Sequence, residues 1–186
     1  MSIGKRIFEA IEKIQANDPY AALTPASIAV DATSAKFYSH QGRSSYKRFV
    51  RENFSFISRI SFGGSSIGEL RVPFSHPQIV LDSDGLCSSE EVFYHVIRCG
   101  LLHDACLPSA LTFNSSGLFS VENGILSLPT SLIYGLILAV VVCPSNVSES
   151  LPSECAINVN GNAHRMSTFW GKKSDLLAVL EAKKMP

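Results

Sequence analysis

Apolar residues at Ile3, Ile7, Phe8, Ile11 and Ile14 recur at helical spacing with polar residues on the reverse side, which predicts an amphipathic helix over 3–14. Asn17-Asp18-Pro19 reads as a stop followed by a fresh start. The alanine-rich run from Pro19 to Tyr38 predicts a second helix, which Thr24-Pro25 threatens to divide in two. After Gly42 to Ser44, the stripe Tyr46, Phe49, Val50, Phe54, Ile57 and Ile60 predicts a third, ending near Gly63-Gly64. Residues 63–87 show no period, and one short strand is expected at Glu69 to Val72. Ser88-Ser89-Glu90-Glu91 is a helix-opening signature, a hydroxyl cap with acids in the first turn, and the helix it opens must stop before Pro108. Leu118 to Val121 and Ile125 to Leu128 flank Glu-Asn-Gly, a hairpin signal. An apolar helix follows from Pro129 and ends before Cys143-Pro144. A second hairpin is expected at Asn160-Gly161, between 156–159 and 163–166, and a short helix from Ser174 to Lys184 closes the chain. The pattern predicts a mainly α fold, a helical bundle with two small β-hairpins.

Composition narrows this picture without redirecting it. The 186 residues, 46% hydrophobic and 17% charged, suit one globular domain over 1–186 with a substantial core. A net charge of zero gives no general attraction for nucleic acid and leaves only local patches to supply it. The longest apolar run, Leu132 to Cys143, falls short of the roughly 20 residues of a membrane span, so no membrane contact is expected. Charges near the amino terminus argue against an export signal. Five cysteines with no Cys-x-x-Cys spacing fit a reducing, cytoplasmic setting.

The chemistry concentrates in Tyr94-His95-Val96-Ile97-Arg98-Cys99-Gly100-Leu101-Leu102-His103-Asp104. Metal-independent RNA cleavage needs a proton shuttle titrating near neutrality and a permanent cation for the charge that grows on the phosphoryl group. His103 and Arg98 supply one each. Five residues along an ideal helix amount to about 500°, leaving the two side chains about 140° apart. Convergence therefore needs a loosened helix at Gly100, or two copies of the helix packed across a two-fold axis. The competing reading makes Arg98 an exposed or ion-paired helix residue and His103 a capping residue. The same spacing recurs at Arg71 and His76, but Pro73 and Pro77 deny those side chains a regular scaffold, so they are set aside. Lys47, Arg48, Arg51 and Arg59 recur along the third helix, as guides for a phosphate backbone or as a solvated face.

Ile97-Arg-Cys-Gly-Leu-Leu-His-Asp104 resembles the Arg-x4-6-His signature of HEPN domains, helical bundles that include many metal-independent endoribonucleases. Residues 28–38, 46–53 and the apolar helix ending in Val140-Val-Val-Cys-Pro144 are similar to the helices around that signature. The resemblance covers about 5–147, with the hairpin and last helix of 148–186 as a variation. It implies attack of the ribose 2′-hydroxyl on phosphorus, with His103 as general base or acid and Arg98 donating to the phosphoryl oxygens. It implies a toxin or defence component acting as a homodimer with a shared cleft, and a nucleotidyltransferase-type antitoxin as a partner. No cofactor and no metal are expected. Asp104, Cys99 and His95 are supporting candidates, and Cys99 departs from the polar residue that members often carry after the arginine.

Two readings of other classes compete. His95, Cys99 and His103 fall at i, i+4 and i+8, a stripe zinc would accept if a fourth donor came from elsewhere. A non-catalytic helical dimer binding RNA, a nucleotide or a partner protein would keep the signature as packing alone.

Overall fold

The computed structural model describes residues 2–100, 111–159 and 161–182. Helix α1 (Ile3–Gln15) starts at Ser2, whose hydroxyl accepts from the Lys5 amide, and buries Ile3, Ile7, Ala10 and Ile11. Helix α2 (Pro19–Tyr38) is capped by Asp18, which accepts from the Ala21 amide, with Pro19 where its missing N–H costs nothing. It runs unbroken through Pro25, which is itself buried. The small residues Ala22, Ala26, Ser27 and Ala29 around it are buried too, so close packing outweighs the lost hydrogen bond. Helix α3 (Arg43–Ser61) presents Tyr46, Phe49, Val50, Phe54 and Ile57 to the core, following the predicted stripe. The short α4 (Ser89–Val92) begins where the serine-glutamate signature placed it and passes directly into a wider turn over 93–99.

Helix α5 (Ser131–Val141) is the centre of the molecule. Nine of its residues, from Leu132 to Val141, are buried, and it packs against both α2 and α3. A helix end inside a protein must find partners for its last carbonyls. Val140 O accepts from Asn146 Nδ2 at 2.9 Å, and Asn146 also donates to Thr33 of α2 at 2.9 Å. Val141 O accepts from the Gly171 amide at 2.9 Å, which ties the carboxyl-terminal segment to the core. Gly171 has φ 71°, and a Cβ there would lie 3.0 Å from Val147. The terminal helix α6 (Lys173–Glu181) follows at once and buries Leu176.

Strands make three small sheets among the described residues. Both expected hairpins are present: β4 (Ser120–Glu122) pairs with β5 (Ile125–Pro129), and β6 (Ala156–Val159) with β7 (Asn162–Arg165). Asn160 of the second turn lies outside the described residues. The two-hairpin expectation is nevertheless incomplete. A further strand, β3 (Leu111–Asn114), runs parallel to β5 and makes it the central strand of three. A two-residue ladder, β1 (Arg71–Val72) against β2 (Cys87–Ser88), closes the irregular segment into a loop. These strands are too short to carry a readable period.

Gly135 sits where α5 meets α3. A Cβ there would stand 2.7 Å from Ser61 Oγ and 2.8 Å from the Ile57 carbonyl oxygen. In an exposed helix, Gly→Ala gains about 1 kcal/mol. Here the sign reverses: Gly135→Ala is expected to lose about 1–3 kcal/mol in urea denaturation through overpacking. A stabilised variant would show that the interface yields.

Candidate functional site

Residues Phe93–Cys99 form a π-helix, wound with i→i+5 hydrogen bonds, rather than the straight α-helix expected. The winding has a visible logic in the side chains. His95, Val96 and Ile97 are all buried in succession, while the partly exposed positions fall at Glu90 and Glu91, then Tyr94, then Arg98 and Cys99. Spacings of four and five put Tyr94, Arg98 and Cys99 on one side. The Arg98 guanidinium lies 5.5 Å from the Tyr94 ring centroid, with Cys99 next to it on the same side.

Arg98 reaches across to α2. Its Nη2 donates to Asp31 Oδ2 at 3.3 Å, with the two side chains 15% and 14% exposed. Burial works against the guanidinium's charge, but the Asp31 carboxylate outweighs it, and the pKa of Arg98 is raised above its usual value. The pair joins the π segment to α2. Asp31 lay outside every sequence expectation, because nothing in its local pattern marks it as a partner for a residue so far along the chain.

His95, on the other side of the segment, is buried in a polar network. Its Nδ1 is 3.1 Å from Gln78 Oε1, and its Nε2 lies 3.4 Å from Glu91 Oε2 without hydrogen-bonding geometry. Glu91 in turn pairs with Lys47 and, at 3.4 Å, with Arg43. Against the desolvation that burial imposes, Lys47, Arg43 and His95 hold the Glu91 carboxyl below its usual pKa. Gln78 brings the irregular segment onto the helix, and His76 comes with it, its ring 6.4 Å from that of His95. The segment set aside as lacking a scaffold therefore borders the network. Arg71 is held by Asp82 at the segment's base.

The first turns of α3 complete the picture. Arg43, Ser44, Lys47, Arg48 and Arg51 line an open groove of about 530 Å³. Lys47 is committed to Glu91, and Arg48 to Glu52 at 2.6 Å while stacking on Tyr38. Arg51 is exposed, and Arg59 pairs with Glu181. The Arg43 guanidinium lies 5.9 Å from the Tyr94 ring, so this ring meets both a groove residue and Arg98. The structure thus brings together Arg98, Cys99, His95 and Lys47, adding Asp31, Tyr94, Glu91 and Arg43. His103 and Asp104 lie outside the described residues, and with them the Arg98–His103 separation and the His95-Cys99-His103 stripe.

The pKa of His95 is lowered by burial first, then by Arg43, Lys47 and His76, with Glu91 opposing. Folding therefore disfavours its protonated form. Its contribution to stability is complete above the unfolded value of about 6.5 and is lost as pH falls through the lower folded value. His95→Gln should flatten the pH dependence of urea denaturation below about pH 6.5. Parallel curves for the two proteins would remove His95 from the account.

No curated protein and no solved structure matches the chain. A family model described as Rv1289 does match it, over residues 2–186. The chain belongs to the Rv1289 family.

Proposed function

We propose that the protein engages RNA along the basic groove of α3 and acts as a metal-independent endoribonuclease of the HEPN type. The observation that carries this reading is the position of Tyr94, whose ring lies within 6 Å of both Arg43 of the groove and Arg98 of the signature. A backbone lying along Arg51, Lys47 and Arg43 would arrive at Arg98. Asp31 and Tyr94 anchor that guanidinium, and a fixed cation is what a developing phosphoryl charge needs. In the proposed reaction the ribose 2′-hydroxyl gives its proton to His103 and attacks phosphorus. The departing 5′-oxygen takes a proton back from His103, leaving a 2′,3′-cyclic phosphate. The same reading makes the protein a cytoplasmic homodimer with a shared cleft, a toxin or defence component restrained by a nucleotidyltransferase-type partner.

A second reading has its own observation. The Arg98–Asp31 pair already gives the arginine a structural task. On this view the domain binds RNA without cutting it.

Two measurements separate these readings. In RNA-binding titrations over a salt series, Arg43→Ala/Arg51→Ala should weaken binding uniformly across sequences. It should also reduce the slope of log K against log salt by about 1.4, roughly 0.7 for each lost phosphate contact on a single strand. An unchanged slope would sink the groove assignment. In a cleavage assay with chelator present, His103→Ala should abolish formation of cyclic-phosphate ends while leaving the melting temperature unchanged. Wild-type cleavage by His103→Ala would sink the mechanism, and binding without any cleavage by the unmodified protein would select the second reading.

Arg98→Ala is not a neutral probe. Removing it strands the Asp31 carboxylate in a site with little solvent, at a cost of about 3 kcal/mol by the usual price of breaking a buried pair. Arg98→Ala/Asp31→Asn should recover much of that loss in thermal denaturation but none of the cleavage.

A further inference from the structure

A second cavity lies on the α3 surface beyond the groove, where the carboxyl ends of α2 and α5 meet the start of α6. It encloses about 270 Å³ and is lined by Phe37, Phe49, Val142 and Pro144, with Glu52, Asn53, Cys143 and Lys173 as its polar groups. Phe37 remains 44% exposed at its rim, unusual for a side chain of that size. Nothing in the RNA reading uses this pocket.

Lys173 is its distinctive group. Its ammonium donates to Asn53 Oδ1 at 3.0 Å and lies 5.2 Å from the Phe56 ring. Asn53 cannot turn its amide nitrogen inward, since Nδ2 already donates to the Phe49 carbonyl at 3.0 Å. Every other cation lining the groove or pocket except Arg51 has a carboxylate within ion-pair distance, yet among the described residues none stands beside Lys173. Burial accordingly lowers its pKa, and no carboxylate offsets the shift, which only the Cys143 thiol opposes. Glu52, the acid on the same wall, is occupied: it accepts from Tyr38 at 2.7 Å and pairs with Arg48 at 2.6 Å. A half-buried ammonium answered only by a neutral amide and an aromatic face lacks a counter-charge, and the cavity in front of it has room for one.

The chemistry of the walls selects the class of anion. One lysine supplies one positive charge, and the neighbouring Glu52 opposes a dianion such as phosphate. Phe37, Phe49, Val142 and Pro144 offer an apolar lining, and the volume is just under the roughly 300–1,000 Å³ of drug-sized sites. We propose that this pocket binds a small monocarboxylate with an aromatic or branched aliphatic body, its carboxylate on Lys173.

The test uses the full chain and benzoate as probe, with benzamide as its neutral counterpart, followed by ligand-observed NMR titration. Benzoate should saturate the protein and bind at least tenfold tighter than benzamide. Lys173→Gln, a change at a partly exposed first position of α6, should remove that preference. Acylation of the unmodified protein with acetic anhydride, mapped by mass spectrometry, gives a readout that needs no variant. Saturating benzoate should slow modification at Lys173 and at no other lysine. Absence of saturable binding, equal affinity for benzoate and benzamide, or unprotected Lys173 would each overturn the proposal. None of these outcomes bears on RNA binding or cleavage, so the two readings fail separately.

Discussion

Everything else in this protein is arranged around the fact that α5 has almost no polar face. The buried positions Leu132, Ile133, Gly135, Leu136, Ile137, Leu138, Ala139, Val140 and Val141 together encircle its axis, so one neighbouring helix cannot cover them. Helices α2 and α3 flank it, and Gly135 lets α3 approach within contact of its backbone. Enclosing a helix this fully also encloses its carbonyls. Asn146 and Gly171 answer that demand, which is why a segment far down the chain, around Trp170, is drawn into the core. The carboxyl-terminal residues therefore belong to the same cooperative unit as the bundle.

Such a core leaves polar side chains little choice of place. On α3 the apolar stripe faces α5, and the cations of its first turns are left on the other side, where most find an acid on α4 or on α3 itself. Lys47 and Arg43 meet Glu91, and Arg48 meets Glu52. A net charge of zero is thus compatible with a local concentration of basic side chains, because the acids that pair with these cations do not themselves line the groove. Arg51 and Lys173 stand out against this background as cations with no ion-pair partner among the described residues, and one lines each of the two cavities.

Much of this was legible in the sequence. The periodicities of 3–14 and 46–60, the serine-glutamate opening at 88–91 and the two hairpin turns correspond to elements in the structure. Those signals are local, set by spacing and turn chemistry within a few residues. What was not legible depends on contact across the chain. Pro25 looked like a break because its local cost is real, and only the packing of its small neighbours shows why the helix continues. The strand at 111–114 is stabilised by a parallel partner rather than by its own pattern. The π winding at 93–99 leaves only a subtle trace, a shift of the exposed positions from spacings of three and four to four and five. Asp31, the partner of Arg98, gives no sequence signal at all, since an aspartate on a helix is ordinarily solvated.

The contacts of the π segment also change how the arginine should be understood. Unconstrained, Arg98 would be a long side chain with many rotamers, and placing its charge would carry a large entropic cost. Here two unrelated contacts constrain it: the Tyr94 ring from within its own turn, and Asp31 from α2. Together they fix it to the bundle, so that its position follows the packing of α2 rather than the fluctuations of a loop. Under the proposed function, structural and chemical roles are then not alternatives for this residue. A buried carboxylate that holds the guanidinium in place also sets where it stands relative to the groove, and a cation that need not reorganise is the most effective kind for a charge that appears only in a transition state. The proposed chemistry is therefore better tested at His103 than at Arg98, whose replacement also breaks the pair with Asp31.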